Sequence, residues 1–180
     1  MIIILMGVSG CGKTTVGRLL AEELGWPFYD GDDFHPPANV EKMRAGIPLD
    51  DNDRDGWLTS LQHLIRQKID AGQDAILACS ALKQKYRDRL QQNRPDAVRF
   101  VYLKGDFAFI QQRLQNRRRH FMNPDLLQSQ FDTLEEPAEG LVADITQGSR
   151  AIVKTILHEF NLRGKQLLHK KSRLQKQNDC

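Results

Sequence analysis

The sequence predicts an α/β protein in which a parallel β-sheet is covered by helices on both faces. Two observations lead to this prediction. Five short apolar runs are spread along the chain, and segments with helical periodicity lie between them. Such alternation is typical of β-α-β units, whose strands are buried on both faces and joined by right-handed crossovers. At 180 residues, with 40% hydrophobic and 27% charged residues, the chain is long enough for about one domain with its own core.

The first half of the chain provides three of the predicted strands. Ile2–Met6 is an unbroken apolar run, and residues 26–30 and 75–79 are predicted as the second and third strands. Apolar residues at helical spacing predict two helices between them. The first is marked by Val16, Leu19, Leu20 and Leu24. The second, over residues 57–71, is marked by Leu58, Leu61, Ile65 and Ile69. Glycines, Gly25 and Gly72, end both helices. The segment 31–57 is rich in Asp, Pro and Gly, with one or two helical turns predicted around residues 39–45.

The second half of the chain provides the remaining two strands, at residues 98–103 and 141–145. Apolar residues at helical spacing predict three more helices: Leu82, Tyr86 and Leu90; Phe107, Ile110 and Leu114; and Ile152, Ile156 and Phe160. A short segment at 124–134 precedes the fifth strand. We see no internal repeat and no second domain, so one domain is expected over residues 1–160.

Charge is distributed unevenly along the chain. There are 26 Lys and Arg against 23 Asp and Glu, a net charge of +3. Six of the basic residues and one acid lie in residues 161–180, so residues 1–160 carry 20 basic and 22 acidic residues. An acidic body disfavours a protein that binds nucleic acid. The basic C-terminal tail is expected to be a dispensable solvated end, and the alternative is a segment that binds polyanions weakly.

Neither a membrane protein nor a disulfide-stabilised secreted protein is expected. No apolar run approaches the ~20 residues that a membrane-spanning helix needs. The three cysteines, Cys11, Cys79 and Cys180, are widely spaced and form no C-x-x-C pair. We therefore expect a protein of the reducing cytoplasm.

A phosphate-binding loop follows the first strand. The pattern G-x-x-x-x-G-K-[ST] is matched by Gly7, Val8, Ser9, Gly10, Cys11, Gly12, Lys13 and Thr14, and Thr15 continues it into the next helix. Backbone N–H groups of such a loop surround phosphate, the lysine reaches the β- and γ-phosphates, and the hydroxyl after it binds Mg²⁺. Cys11 is expected to be a spacer. The loop alone predicts a nucleotide such as ATP; the short chain and the missing N-K-x-D pattern of GTPases favour a small kinase.

Acidic residues follow the second strand, at Asp30, Asp32 and Asp33. Ligands of open α/β sheets bind beyond the carboxyl ends of the strands, so these carboxylates are expected to face the phosphate loop. One would hold water around Mg²⁺ and one would orient or deprotonate an acceptor hydroxyl. The alternative is a solvated acidic loop with no function.

Basic residues mark the end of the helix after the fourth strand. Arg113 and Arg117 are four residues apart and therefore share a helix face, from which one guanidinium can stack on adenine while another reaches phosphate. A mobile lid is predicted over about residues 117–134. The alternative is a basic helix end stabilised by the helix dipole. Gln147, after the fifth strand, is expected to border the adenine.

Several longer blocks of the sequence resemble the gluconokinase family. These blocks include Gly31-Asp32-Asp33-Phe34-His35-Pro36, Gly46-Ile47-Pro48-Leu49, Ala78-Cys79-Ser80-Ala81-Leu82-Lys83, His120-Phe121-Met122 and Ser129-Gln130-Phe131. With the phosphate loop, the resemblance covers about residues 2–158. It implies a three-layer P-loop kinase of the nucleoside monophosphate kinase type, with a five-stranded parallel sheet and a short lid. It further implies MgATP-dependent phosphorylation of D-gluconate to 6-phosphogluconate by a protein that is often a homodimer; a kinase of another hydroxy acid such as shikimate is the alternative.

Chemical reasoning selects candidate ligands for an open-chain sugar acid. An arginine fork suits its carboxylate, which favours Arg54, with Lys83 and Arg87 as further candidates. Its hydroxyls suit Asp32, His35 and Asn39. His35 has the alternative of capping a turn, and Lys83 and Arg87 that of being surface charges.

The resemblance adds roles for particular residues. By similarity with shikimate kinases, Asp32 would contact the acceptor and act as a base, and Asp30 would lie near Mg²⁺. His120 would belong to the lid tip, and Arg117 would stabilise the transferred charge. The sequence departs from the family at Gly56, where proline is usual; this change is expected to loosen the start of the following helix.

Overall fold

The computed structural model describes residues 1–116 and 124–162 of the chain. In that part of the chain, five parallel strands form a single sheet in the order β2-β3-β1-β4-β5. The strands are β1 (Ile2–Met6), β2 (Phe28–Asp30), β3 (Ala75–Ala78), β4 (Val98–Lys104) and β5 (Leu141–Asp144). The predicted α/β fold with a five-stranded parallel sheet is confirmed.

Helices connect the strands and cover both faces of the sheet. They are α1 (Lys13–Leu24), α2 (Pro37–Arg44), α3 (Asp51–Asp70), α4 (Gln84–Gln91), α5 (Phe107–Gln115), α6 (Pro124–Thr133) and α7 (Ser149–Glu159). Short 3₁₀ helices follow β2 at Gly31–Phe34 and β5 at Ile145–Gln147. No helix in the described residues is long and apolar enough to cross a membrane.

The core consists of two apolar layers, one on each face of the sheet. Alternate side chains of β1 point to opposite faces, so that Ile3 packs with α1, α5 and α7, while Ile4 packs with α3 and α4. Every residue of β1 is buried, since this strand lies at the centre of the sheet. The unbroken apolar run in the sequence has its cause in this double coverage.

Two element boundaries differ from the prediction. Helix α3 begins at Asp51, six residues before the predicted start, because Asp50 and Asp53 form a reciprocal capping box. Gly56 therefore lies inside this helix, and the expectation that it loosens the helix start is wrong. Strand β2 is shorter than predicted because the Trp26 N–H donates to the Ala21 carbonyl at the end of α1, and Pro27 has no N–H to donate.

The topology brings three loops to the same edge of the sheet. The loops after β1, β2 and β3 all leave from carboxyl ends of neighbouring parallel strands. The chain reverses its direction of winding between the neighbouring strands β1 and β3, which are followed by α1 and α4 on opposite faces of the sheet, and this is the usual ligand position in open α/β sheets.

Candidate active site

The phosphate loop connects β1 to α1 and forms one wall of a cavity of ≈ 730 Å³. Gly10 and Gly12 have φ angles of +84° and +106°, a conformation that side chains with a Cβ rarely adopt. Lys13 is the first residue of α1, and its Nζ donates to the carbonyls of Gly7 and Val8 at 3.0 Å each. The loop is therefore folded around its own lysine, at a helix N-terminus that favours anions.

The predicted loop residues do not all face the cavity. Its walls include Ser9, Gly10, Gly12, Lys13, Thr14 and Thr15. The Cys11 side chain is buried in the core instead, as expected for a spacer. Arg113 lies beside the loop, because a Cβ placed on Gly12 would be 3.7 Å from its Nη2. Gln147 is an exposed residue at the end of the 3₁₀ helix after β5, and Arg117 and His120 lie outside the described residues.

A hydroxyl and a carboxylate form a pair at the base of the cavity. Thr14 Oγ1 donates to Asp30 Oδ2 at 2.8 Å, and the other oxygen of Asp30 accepts the Asp32 N–H at 3.3 Å. Mg²⁺ in kinases usually takes one or two protein oxygens, with waters and substrate phosphates completing the octahedron. The chemistry of this pair therefore fits Mg²⁺ in the presence of a nucleotide.

A smaller cavity of ≈ 80 Å³ adjoins the first. The two share six residues, which are Ser9, Lys13, Asp32, Met43, Leu126 and Gln130. The structure brings three of the predicted acceptor ligands to the walls of the smaller cavity: Asp32, His35 and Arg54. A carboxylate, an imidazole and a guanidinium thus surround one small volume next to the phosphate loop.

Trp57 holds the acidic turn in place. Its Nε1 donates to the Gly31 carbonyl at 2.7 Å, and its indole stacks on the His35 ring with centroids 4.5 Å apart. The turn lies so close to β3 that a Cβ on Gly31 would be 2.7 Å from the Ala78 carbonyl oxygen, which requires glycine here. Sequence analysis did not assign Trp57 a role at the site.

Asn39 orients His35 and does not line either cavity. Its buried amide donates from Nδ2 to the Asp53 carbonyl at 2.7 Å, which identifies that atom as nitrogen, and the same Nδ2 lies 3.4 Å from His35 Nδ1. His35 Nδ1 therefore accepts, and the ring proton is on Nε2. We correct the prediction of Asn39 as a substrate ligand, because its amide is used in this internal contact.

Burial lowers the pKa of His35 below the ordinary value of 6.5. The Asp32 carboxylate acts in the opposite direction, whereas the Arg54 guanidinium adds to the lowering. His35 is therefore a neutral donor at neutral pH. Arg54 itself donates from Nη1 to the Leu49 carbonyl, which fixes its guanidinium at the cavity wall.

Lys83 is engaged by a carboxylate outside the cavities. Its Nζ lies 2.8 Å from Asp51, which also pairs with Lys85 at 2.6 Å and accepts from the Tyr86 hydroxyl. These three donors hold the pKa of Asp51 well below its usual range. The role of Lys83 in binding substrate stays a prediction, and in this structure the ion-pair cluster directs its ammonium to Asp51.

Arg87 fastens the turn after β3. The side chain is buried, and its Nη1 donates to the carbonyls of Ala81 and Leu82 at 3.0 and 3.1 Å. Ala81 has a φ of +43°, a left-handed conformation that costs energy for a residue with a side chain. The two hydrogen bonds from Arg87 stabilise that turn. Its side chain is buried and lines neither cavity, so we correct the prediction that Arg87 binds substrate.

Helix α6 closes the smaller cavity, and it falls within the segment predicted as a lid over about residues 117–134. Four residues on one face of this helix line the cavity: Leu126, Ser129, Gln130 and Thr133. Gln130 Oε1 accepts the Ser9 N–H of the phosphate loop at 2.7 Å. No role was predicted for Gln130 within the lid segment, because a glutamine on a short helix carries no chemical signal of its own.

Comparison with known proteins agrees with this geometry. The family model for shikimate kinase matches residues 9–160. A gluconokinase from Gluconobacter oxydans is 47% identical over 137 residues, which are 76% of this chain and 76% of that protein. The crystal structure of a gluconokinase from Sinorhizobium meliloti is 41% identical, with a TM-score of 0.76 over 84% of this chain and 86% of that one. The unliganded structure of a sugar kinase from Janibacter is 42% identical, with a TM-score of 0.83 over 89% and 94% of the two chains.

Proposed function

The chain belongs to the gluconokinase family, and from this premise we propose that it transfers the γ-phosphoryl group of ATP to D-gluconate, giving 6-phospho-D-gluconate. One observation carries the proposal. The phosphate-loop cavity opens directly onto a small cavity whose polar walls are Asp32, His35 and Arg54. A phosphoryl donor and a hydroxylated anion can therefore meet at the residues that the two cavities share.

The phosphate loop binds and positions the nucleotide. Its N–H groups and the N-terminus of α1 receive the phosphates, and Lys13 leaves the carbonyls of Gly7 and Val8 to reach the β- and γ-phosphates. Arg113 is in place to contribute charge from the other side of Gly12. We propose the same role for Arg117, four residues further along the chain.

Thr14 and Asp30 are the residues that would hold Mg²⁺. When bound, the ion neutralises charge on the phosphates and helps to align them. The protein's own contribution is to keep the hydroxyl and the carboxylate 2.8 Å apart at the start of α1.

The smaller cavity orients one end of gluconate, and the rest of the molecule extends into the larger cavity that adjoins it. Arg54 pairs with the carboxylate, and the Nε2–H of neutral His35 donates to an oxygen of the sugar acid. Asp32, which lines both cavities, accepts the hydrogen bond of the hydroxyl that attacks the phosphoryl group. Apolar side chains from α6 and Trp57 exclude water, which would otherwise compete as the acceptor.

A coupled assay of ADP formation with MgATP tests the proposal, with gluconate and shikimate offered separately. We expect turnover with gluconate and little with shikimate. The reverse result would show that the protein phosphorylates shikimate instead. Arg54→Met should raise the KM for gluconate by roughly ten- to a hundredfold, since a charge-assisted hydrogen bond is worth about 1.5–3 kcal/mol. The matched control is Arg66→Met, an exposed arginine on the same helix, which should behave as the wild type.

Two broader expectations stay predictions. The cysteine pattern predicts a cytoplasmic protein, and the resemblance favours a homodimer. Sedimentation equilibrium of the full chain, and of a chain ending at residue 162, would measure the oligomeric state and any contribution of the basic tail.

A further inference from the structure

The junction of the two cavities is bridged by one side chain from α6. Gln130 Oε1 accepts the Ser9 N–H at 2.7 Å, and Gln130 Nε2 donates to Ser9 Oγ at 3.1 Å. A single amide therefore contacts both polar groups of one phosphate-loop residue. Ser9 and Gln130 each line both cavities, so this contact is located where the phosphoryl group has to pass.

The opposite side of α6 is attached to the body of the protein by apolar contacts. Leu127 is buried in the core, and Phe131 meets Phe107 edge to face with ring centroids 5.4 Å apart. These contacts hold the helix against α5, and just beyond the helix the Glu135 N–H donates to the Leu82 carbonyl at 2.9 Å. The amide of Gln130 is the side-chain contact that joins α6 to the phosphate loop.

The position of α6 determines the shape of the smaller cavity. Leu126, Ser129 and Thr133 of this helix line it together with Arg54 and His35. A volume of ≈ 80 Å³ is small, so an outward movement of the helix would change it by a large fraction. Fixing α6 to the loop therefore fixes the space in which the acceptor is held.

We propose that Gln130 is the positioning residue that docks α6 on the phosphate loop and so completes the gluconate cavity. This inference rests on the proposed function. The residue type fits the task, since a carboxamide supplies an acceptor for the Ser9 N–H and a donor for Ser9 Oγ at once. Because Ser9 Oγ accepts from Gln130, the serine hydroxyl keeps its own hydrogen to donate within the junction.

The test replaces Gln130 by methionine, which has nearly the same length and no hydrogen-bonding amide. The control is Gln128→Met on the exposed side of the same helix, where the amide contacts only Asp132. We expect Gln130→Met to raise the KM for gluconate about tenfold, the factor for two ordinary hydrogen bonds, and to lower kcat. The KM for ATP should change by less than about threefold, since the other phosphate-loop donors are unaltered.

Amide hydrogen exchange gives a second readout that does not depend on activity. In the nucleotide-free protein, the Ser9 amide should exchange faster in Gln130→Met than in the wild type or in Gln128→Met. Gln130→Glu retains an acceptor of the same length, so protection of the Ser9 amide should be retained in it.

The outcomes separate the two proposals. If the wild type does not phosphorylate gluconate, the proposed function fails, and the exchange rate of the Ser9 amide still decides whether Gln130 holds the loop. If the wild type is active but Gln130→Met matches Gln128→Met in the KM for gluconate and in Ser9 exchange, the inference is overturned. The inference would also be contradicted if a Gln130 variant with the wild-type melting temperature showed equal rises in the KM for gluconate and the KM for ATP. Docking of α6 shapes the acceptor cavity, so the KM for gluconate should rise more.

Discussion

Substitution of Gly56 by alanine should stabilise the protein without changing its activity. Gly56 is an exposed residue inside α3, and nothing lies within 4 Å of a Cβ placed there. The added methyl group therefore meets no obstacle in the folded state, while it reduces the conformational freedom of the unfolded chain. The position is of functional interest because Arg54 and Trp57, which line the acceptor cavity, flank it on the same helix.

The size of the effect follows from helix propensity. Glycine in an exposed helix interior is less favourable than alanine by about 1 kcal/mol. For a chain of this length, such a gain in the free energy of unfolding corresponds to a rise of about 2–4 °C in Tm. Urea denaturation followed by circular dichroism at 222 nm measures the first quantity, and a thermal scan under the same conditions measures the second.

Gly17 provides the matched control with the opposite sign. It is buried in α1, where a Cβ would lie 2.4 Å from Phe28 Cε2 and 3.2 Å from Leu5 Cδ1. Gly17→Ala gains the same propensity but forces these side chains apart, an overpacking cost of about 1–3 kcal/mol. Opposite signs for the two variants are expected. A destabilised Gly56→Ala, or a stabilised Gly17→Ala, would refute the reasoning, and kcat and KM of Gly56→Ala should stay within about twofold of the wild type.

Three further predictions concern the supports of the site. Arg87→Met should lower the free energy of unfolding by about 1–3 kcal/mol, because it leaves two turn carbonyls without their donor. Arg89→Met, which breaks a surface ion pair on the same helix, should lower it by less than about 1 kcal/mol. Urea denaturation measures both changes. Trp57→Phe should also cost about 1–3 kcal/mol, measured by circular dichroism, because the buried Gly31 carbonyl loses its partner. The pKa of His35 is 6.5 in the unfolded chain and lower in the folded protein. The contribution of this histidine to the free energy of unfolding is therefore complete above pH 6.5, and it is lost as the pH falls toward the pKa of the folded protein. The free energy of unfolding should therefore decrease less steeply on acidification below about pH 6.5 in His35→Gln than in the wild type; equal slopes would exclude this residue as the cause.

The fold was predictable from the sequence wherever burial leaves a periodic pattern. Strand β1 is covered on both faces and therefore reads as an unbroken apolar run, and α7 shows its buried side at helical spacing. The start of α3 was missed because its first turn is polar and exposed. The signal was present in Asp50 and Asp53, which have the spacing of a capping box with aspartate in both positions.

The site was predictable only where chemistry is tied to a motif. The phosphate loop specifies its residues by a fixed pattern of glycines, so Lys13 and Thr14 were located by spacing alone. Lys83 and Arg87 carry the right charge in the right region, but a cation near a cavity can equally be used by a neighbouring carboxylate or a turn carbonyl. Which of these occurs depends on side-chain direction in the folded protein, and sequence spacing does not fix it.

The hydrogen bonds that hold the loops around the site are of one kind, and this explains why they were not predicted. Each of three loops at the carboxyl ends of β1, β2 and β3 is fastened by one side chain from a helix outside the loop: Gln130 on Ser9, Trp57 on Gly31 and Arg87 on Ala81. In all three contacts the loop contributes a backbone group, which every residue type possesses, so the loop sequence shows no complementary partner. The partners are also separated by 121 and 26 residues in the first two cases. Since the loops meet at one cavity edge, their positions relative to each other depend on these long-range bonds, and the geometry of phosphoryl transfer depends on them in turn.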